Sequence, residues 1–120
     1  MATRPPEGLS VSRRTHADGV EVLDVAGEVD VRTAVRLGDE LTNALARGAR
    51  VLVVDMSRVT FCDSIGLSTL LRAWKRLPSG GDIRLAGSGR QVLKMLGAAG
   101  LGDFLPTYTS VEEALAVEDC

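Results

Sequence analysis

The 120-residue sequence has few residues of the types that build metal, redox and base-stacking sites. It contains two cysteines, Cys62 and Cys120, and a single histidine, His16. A structural zinc site needs about four nitrogen or sulfur ligands at close spacing, so we expect no metal site and no cofactor. We expect Cys62 to be a free, buried thiol rather than half of a disulfide with Cys120. Aromatic residues make up only 3% of the chain, too few to stack the bases of a single-stranded nucleic acid.

The chain also lacks a surplus of basic charge and a long hydrophobic run. Fourteen Lys and Arg residues face sixteen Asp and Glu residues, giving a net charge of −2, which argues against direct binding to a nucleic acid. No apolar run approaches the ~20 residues that span a bilayer. Residues 1–8 contain two prolines and no hydrophobic segment of a secretory signal. We therefore predict a flexible N-terminal tail at residues 1–8, one domain at residues 9–120, and a cytoplasmic protein without a membrane partner.

The strand pattern predicts a hairpin followed by a parallel sheet. Asp18 and Gly19 separate the first two β-rich runs, and an Asp-Gly pair favours a tight hairpin turn. The continuous apolar run Val51–Val54 is typical of a strand that is buried on both faces at the centre of a parallel sheet. The predicted strands are Leu9–Thr15, Val20–Ala26, Val51–Val54, Ile83–Ala86 and Leu105–Tyr108.

Between these strands, apolar residues recur at the three- and four-residue spacing of helices. Asp30 is the predicted N-cap of the first helix, and Gly48 is its stop. A second helix contains Trp74, a third ends at Gly100, and a fourth starts from a capping box at Ser110. Helices that alternate with strands indicate an α/β fold with right-handed crossovers. We predict a mostly parallel central sheet of four to five strands, an N-terminal hairpin and about four helices.

The segment between the central strand and the second helix is the candidate site. We place the end of that strand at Asp55 and a loop at residues 56–66, so Ser64 lies where the loop becomes the helix that contains Trp74. One interpretation is structural, with Asp63 or Ser64 acting only as an N-cap. The other is regulatory, since a phosphate on Ser64 would add about −1.5 to −2 charges at a helix tip and repel a docked partner. The sequence pattern by itself leaves both open.

The same segment argues against an enzyme. Residues 62–66 read Cys-Asp-Ser-Ile-Gly and lack the first glycine of the G-x-S-x-G nucleophile elbow. His16 lies in the first hairpin and precedes the serine, so no base is available. The sequence contains no P-loop, which argues against ATP binding by this chain itself. A loose acidic set for Mg²⁺, formed by Asp30, Asp55 and Asp63, is less favoured than capping roles for these carboxylates.

Three segments resemble the STAS-domain anti-sigma factor antagonists: Gly27-Glu28-Val29-Asp30, Val54-Asp55-Met56-Ser57, and residues 59–67, which read Val-Thr-Phe-Cys-Asp-Ser-Ile-Gly-Leu. The resemblance extends from about Leu9 to Leu115 and implies that residues 9–120 are a single STAS domain. It further implies partner switching. The unphosphorylated protein would bind an anti-sigma factor with serine kinase activity and free its sigma factor. Phosphorylation would abolish binding, and a PP2C-type phosphatase would reverse it.

The resemblance also assigns the site residues. Ser64 corresponds to the phosphorylated serine, and the partner-binding residues would be Asp30, Asp63, Ile65, Gly66, Leu67 and Ser68. Many members of the family have Ser or Thr where this chain has Ile65, a difference that bears on which kinase is accepted. The alternative function is a STAS regulatory subunit of a transporter or of a multi-protein signalling complex. Such a subunit would bind its partner whatever the state of Ser64.

Overall fold

The computed structural model describes residues 8–117, so most of the predicted tail at residues 1–8 and Cys120 lie outside the described part of the chain. Strands and helices alternate after an initial pair of strands. In chain order they are β1 (Leu9–Ala17), β2 (Val20–Val29), α1 (Ala34–Ala46), β3 (Val51–Cys62), α2 (Ser64–Lys75), β4 (Asp82–Ala86), α3 (Arg90–Ala99), β5 (Thr107–Tyr108) and α4 (Val111–Leu115).

The five strands form one sheet in the order β1-β2-β3-β4-β5. β1 pairs with β2 antiparallel through the turn at Asp18 and Gly19, where Gly19 has a φ of 76°. All other neighbouring pairs are parallel. The predicted fold class, with its hairpin and largely parallel sheet, is confirmed. None of the helices described between residues 8 and 117 has the length and apolar character needed to cross a membrane.

The two faces of the sheet are covered unequally. Because side chains alternate along a strand, neighbouring strand residues contribute to opposite faces. One face packs against α1, α2 and α3, with buried residues that include Leu23, Leu52, Val54, Leu37, Leu70 and Val92. The other face packs against the short α4, with Val22, Val53, Ala86, Val111 and Ala114 buried. Val51–Val54 are buried at the centre of the sheet as predicted.

The prediction that the central strand ends at Asp55 and continues as a loop is wrong. β3 runs on to Cys62 and keeps pairing with β2, with Val29 opposite Cys62. The β3–β4 pairing stops where Asp55 meets Ala86, so the last part of β3 has a strand neighbour on one side only. Residues such as Ser57 and Thr60 are exposed there, and this polar stretch hides the strand in the sequence.

The predicted end of α3 and the predicted start of α4 are confirmed. Gly100 follows α3 in the left-handed conformation, with a φ of 69°. The hydroxyl of Ser110 accepts a hydrogen bond from the backbone N–H of Glu113 at 3.1 Å and starts α4. The predicted strand at Leu105–Tyr108 is shorter than expected, because only Thr107 and Tyr108 pair with β4.

Candidate functional site

The candidate site lies where β2 and β3 end side by side. Val29 and Cys62 are register partners at the ends of these parallel strands, so the next residues, Asp30 and Asp63, leave the sheet at the same edge. The backbone N–H of Asp63 donates to the carbonyl oxygen of Val29 at 3.0 Å. The long β3 therefore brings the two acidic residues of the sequence prediction to one edge of the sheet.

Asp63 is the N-cap of α2. Its Oδ1 accepts hydrogen bonds from the backbone N–H groups of Ile65 at 2.9 Å and Gly66 at 3.1 Å. The backbone of Asp63 is extended, as an N-cap requires. Ser64 is the first residue of α2 and is exposed. The two sequence interpretations are thus divided between two residues, since Asp63 performs the capping and Ser64 is not needed for it.

The remaining residues of the predicted site differ in exposure. Ile65 keeps 40% of its surface exposed and Ser68 is exposed one turn further along α2. Leu67 keeps only 4%, and Gly66 is also buried. A Cβ at position 66 would lie 2.5 Å from Sγ of Cys62 and 2.7 Å from Cγ1 of Val29, so only glycine fits there without a shift. Gly66 and Leu67 therefore hold α2 against the core and offer little contact surface.

The prediction that Asp30 caps α1 is wrong. α1 begins at Ala34, and its N-cap Thr33 makes no side-chain capping bond. The hydroxyl of Thr33 instead donates to the carbonyl oxygen of Glu28 at 2.7 Å. Asp30 stabilises the preceding turn, because its Oδ1 accepts from the backbone N–H of Arg32 at 2.9 Å and of Thr33 at 3.2 Å. The Arg32 guanidinium bonds to Oδ2 at 3.0 Å, and this side-chain hydrogen bond is the main cause that lowers the pKa of Asp30.

Cys62 is the last residue of β3 and directly precedes the N-cap Asp63. Its side chain is fully buried and free, as predicted. Burial, and to a lesser extent the charge of Asp63, raises the pKa of the thiol to about 11. Gln91, at the start of α3, forms hydrogen bonds to both backbone groups of Cys62. No local sequence pattern predicts this contact, because Gln91 lies 29 positions further along the chain than Cys62.

A groove of about 430 Å³ runs between α1 and α2, and its lining includes Ile65, the residue after Ser64. Three exposed apolar side chains contribute to this lining: Val31 at 65% exposure, Val35 at 68% and Ile65 at 40%. Arg72 and Arg76 line it further along α2. Sequence analysis missed Val31 and Val35, which interrupt no pattern and become a patch only when α1 and α2 pack together.

The single histidine of the sequence, His16, lies far from Ser64. His16 lies in β1 beside the start of β2, and Ser64 lies beyond the end of β2. Nine residues of extended chain place them roughly 30 Å apart, far beyond hydrogen-bond reach. Within residues 8–117, no group of three or more His, Cys, Asp or Glu side chains could hold a metal ion. The Oδ1 of Asp55 accepts instead from the backbone N–H of Ser57 at 3.0 Å.

Comparison with known proteins gives a consistent family. A family model described as STAS domain matches residues 13–114. The anti-sigma-F factor antagonist RsfB of Mycobacterium tuberculosis is 26% identical over 110 residues, which cover 92% of this chain and 89% of RsfB. A solved anti-sigma factor antagonist from Mycobacterium paratuberculosis superimposes with a TM-score of 0.84 at 28% identity, covering 94% of this chain and 96% of that one.

The fold is also shared with SpoIIAA, an anti-sigma factor antagonist and Bacillus cell fate determinant. Its unphosphorylated form superimposes with a TM-score of 0.76 at 21% identity, covering 88% of this chain and 93% of SpoIIAA. The structure of its phosphorylated form superimposes with a TM-score of 0.70. At this level of identity, the likeness concerns the fold.

Proposed function

The chain belongs to the STAS domain family, and we propose that it is an anti-sigma factor antagonist that is switched by phosphorylation of Ser64. Unphosphorylated, it binds an anti-sigma factor and so frees the sigma factor. The observation that carries this proposal is the exposure of Ser64 at the tip of α2, next to a separate residue, Asp63, that already caps the helix. Modification of Ser64 therefore leaves the helix start intact.

The charges around Ser64 support a switch. A phosphate there would lie near the positive end of the α2 dipole, an interaction worth at most about 1–2 kcal/mol. It would also add to the negative charge of Asp63, the preceding residue, and of Asp30, which leaves the sheet at the same edge. A partner docked over this edge would have to bury the phosphate dianion without a matching positive charge of its own. That penalty amounts to several kcal/mol, or orders of magnitude in affinity.

The surroundings of Ser64 support a protein partner. The exposed side chains of Val31, Val35 and Ile65 form an apolar edge along the groove between α1 and α2. Together with Asp30 and Ser68 they make up the contact surface that we propose for the anti-sigma factor. In this proposal the partner is also the serine kinase and supplies the ATP and Mg²⁺. A PP2C-type phosphatase restores the free hydroxyl, and the chain itself performs no catalysis.

The proposal includes the arrangement of the chain and its location. Residues 9–120 would be a single STAS domain, in line with the family match to residues 13–114. Both named mycobacterial relatives are anti-sigma factor antagonists and are matched over most of their length. We place the switch in the cytoplasm, where sigma factors act on RNA polymerase.

Phosphate mapping tests the proposal. The chain is incubated with ATP and, in turn, each histidine-kinase-like anti-sigma factor of the source organism, and the products are analysed by intact and peptide mass spectrometry. We expect one phosphate, on Ser64, and none in Ser64→Ala. Ser68→Ala is the matched control, because it removes another exposed hydroxyl one turn away, and it should be phosphorylated like the wild type. A stable complex that forms whatever the state of Ser64 would favour a STAS regulatory subunit of a transporter or of a multi-protein signalling complex instead.

A further inference from the structure

The side chain of Gln91 binds the main chain of Cys62 at two points. Oε1 of Gln91 accepts from the backbone N–H of Cys62 at 3.0 Å. Nε2 donates to the carbonyl oxygen of Cys62 at 2.6 Å. The carboxamide therefore satisfies both backbone groups of Cys62, as the N–H and C=O of one residue on an antiparallel strand would.

The sheet leaves a place for such a group. The N–H and C=O of one strand residue point to the same side, and those of the next residue to the other side. Asp63 donates to Val29 on the β2 side, so the groups of Cys62 face the β4 side. β4 has already ended there, since its last residue, Ala86, is opposite Asp55. Gln91 thus bonds to β3 on the side that β4 leaves open, at a residue well beyond Asp55, the last residue paired with β4.

The orientation of the carboxamide is fixed by chemistry. The N–H of Cys62 needs an acceptor and its carbonyl needs a donor, so exchanging the oxygen and nitrogen of Gln91 would lose both bonds. Sδ of Met95, one turn along α3, lies 2.9 Å from Nε2 and accepts from the same amide. The contact is therefore specific in both position and direction.

We infer that Gln91 is a positioning residue for Ser64. It holds Cys62, Cys62 leads directly into Asp63, and the carboxylate of Asp63 holds the first turn of α2 through Ile65 and Gly66. Through this chain of contacts α3 sets how firmly Ser64 is presented to a kinase. The consequence for phosphorylation rests on the proposed function, whereas the consequence for local order does not.

Gln91→Met tests the inference, because methionine keeps the length of the side chain and loses both hydrogen bonds. Val92→Ala is the matched control: Val92 is the next residue of α3 and is buried in the core, so its truncation weakens α3 but keeps both hydrogen bonds from Gln91 to Cys62. Amide hydrogen exchange is measured by NMR on the full chain. Rates are compared after correction for global stability measured by urea unfolding.

We expect exchange at Asp63, Ile65 and Gly66 to be about tenfold faster in Gln91→Met than in Val92→Ala. With the kinase that modifies the wild type, kcat for phosphorylation of Gln91→Met should fall about tenfold or more while KM changes little. Equal exchange at these three amides in both variants overturns the inference. If exchange differs but the wild type accepts no phosphate on Ser64, Gln91 still positions the α2 tip and the proposed function fails by itself.

Discussion

Gly66 lies so close to Cys62 that a Cβ at position 66 would be 2.5 Å from the Cys62 sulfur. α2 therefore starts directly against the last residue of β3, with no space for a side chain between them. Three features together position Ser64: this contact, the capping bonds that Asp63 accepts, and the hydrogen bonds between Gln91 and Cys62.

Replacing Gly66 by alanine should destabilise the protein by about 1–3 kcal/mol, because the new methyl group displaces Cys62 or Val29. Gly97→Ala is the matched control. Gly97 lies within α3 and an added Cβ meets nothing within 4 Å, so that change should stabilise by about 0.5–1 kcal/mol. Urea unfolding measures both, and equal effects at the two glycines would contradict the close contact.

Removing the N-cap of α2 should lower the free energy of unfolding. Asp63→Ala loses both hydrogen bonds to Ile65 and Gly66 and should cost about 0.5–2 kcal/mol. Asp63→Ser keeps a capping oxygen and loses the charge, so thermal unfolding should change much less than in the alanine variant. Equal losses in the two variants would show that the charge of Asp63, and not its capping geometry, stabilises this end of α2.

The buried thiol of Cys62 should make stability fall in alkali. Its pKa is raised from 9.0 to about 11 in the folded protein, so the unfolded chain releases the proton first. The folded state is therefore favoured fully below pH 9, and this part of its stability is lost as the pH rises from about 9 towards 11. Urea unfolding of wild type and Cys62→Ala should differ by a constant amount up to pH 9, and the difference should shift against the wild type above it. A constant difference up to pH 11 would contradict the burial of this thiol.

The apolar edge of the groove should matter for binding and not for folding. Val35→Asp places a charge on a side chain that is 68% exposed, so unfolding free energy should change by no more than about 0.5 kcal/mol. Affinity for the anti-sigma factor should fall at least about tenfold. Leu93→Asp is the control, since Leu93 is 45% exposed on α3 and does not line this groove. Similar losses at both positions, measured by calorimetric titration, would argue against the groove.

Local sequence signals predicted much of this structure. The Asp-Gly turn, the run Val51–Val54, the stop at Gly100 and the cap at Ser110 all depend on neighbouring residues, and the structure contains each of them. The exposed Ser64 next to an N-cap followed from the same kind of signal.

Features that depend on distant partners were missed or mistaken. The local pattern predicts a loop at the end of β3, because its polar residues become a strand only by pairing with β2. It also predicts Asp30 as the N-cap of α1, whereas the Asp30 carboxylate bonds within the preceding turn and α1 begins only after Thr33. No local pattern predicts the role of Gln91, because that role depends on β4 ending before β3 does.

The most direct test of the whole account is the affinity of the anti-sigma factor for the chain with and without phosphate on Ser64. Fully phosphorylated and unphosphorylated chains, purified from the same preparation, are titrated against the partner, and circular dichroism is recorded for both. We predict unchanged dichroism and at least about a hundredfold weaker binding of the phosphorylated chain. Equal affinities, with the phosphate mapped to Ser64, would contradict the account.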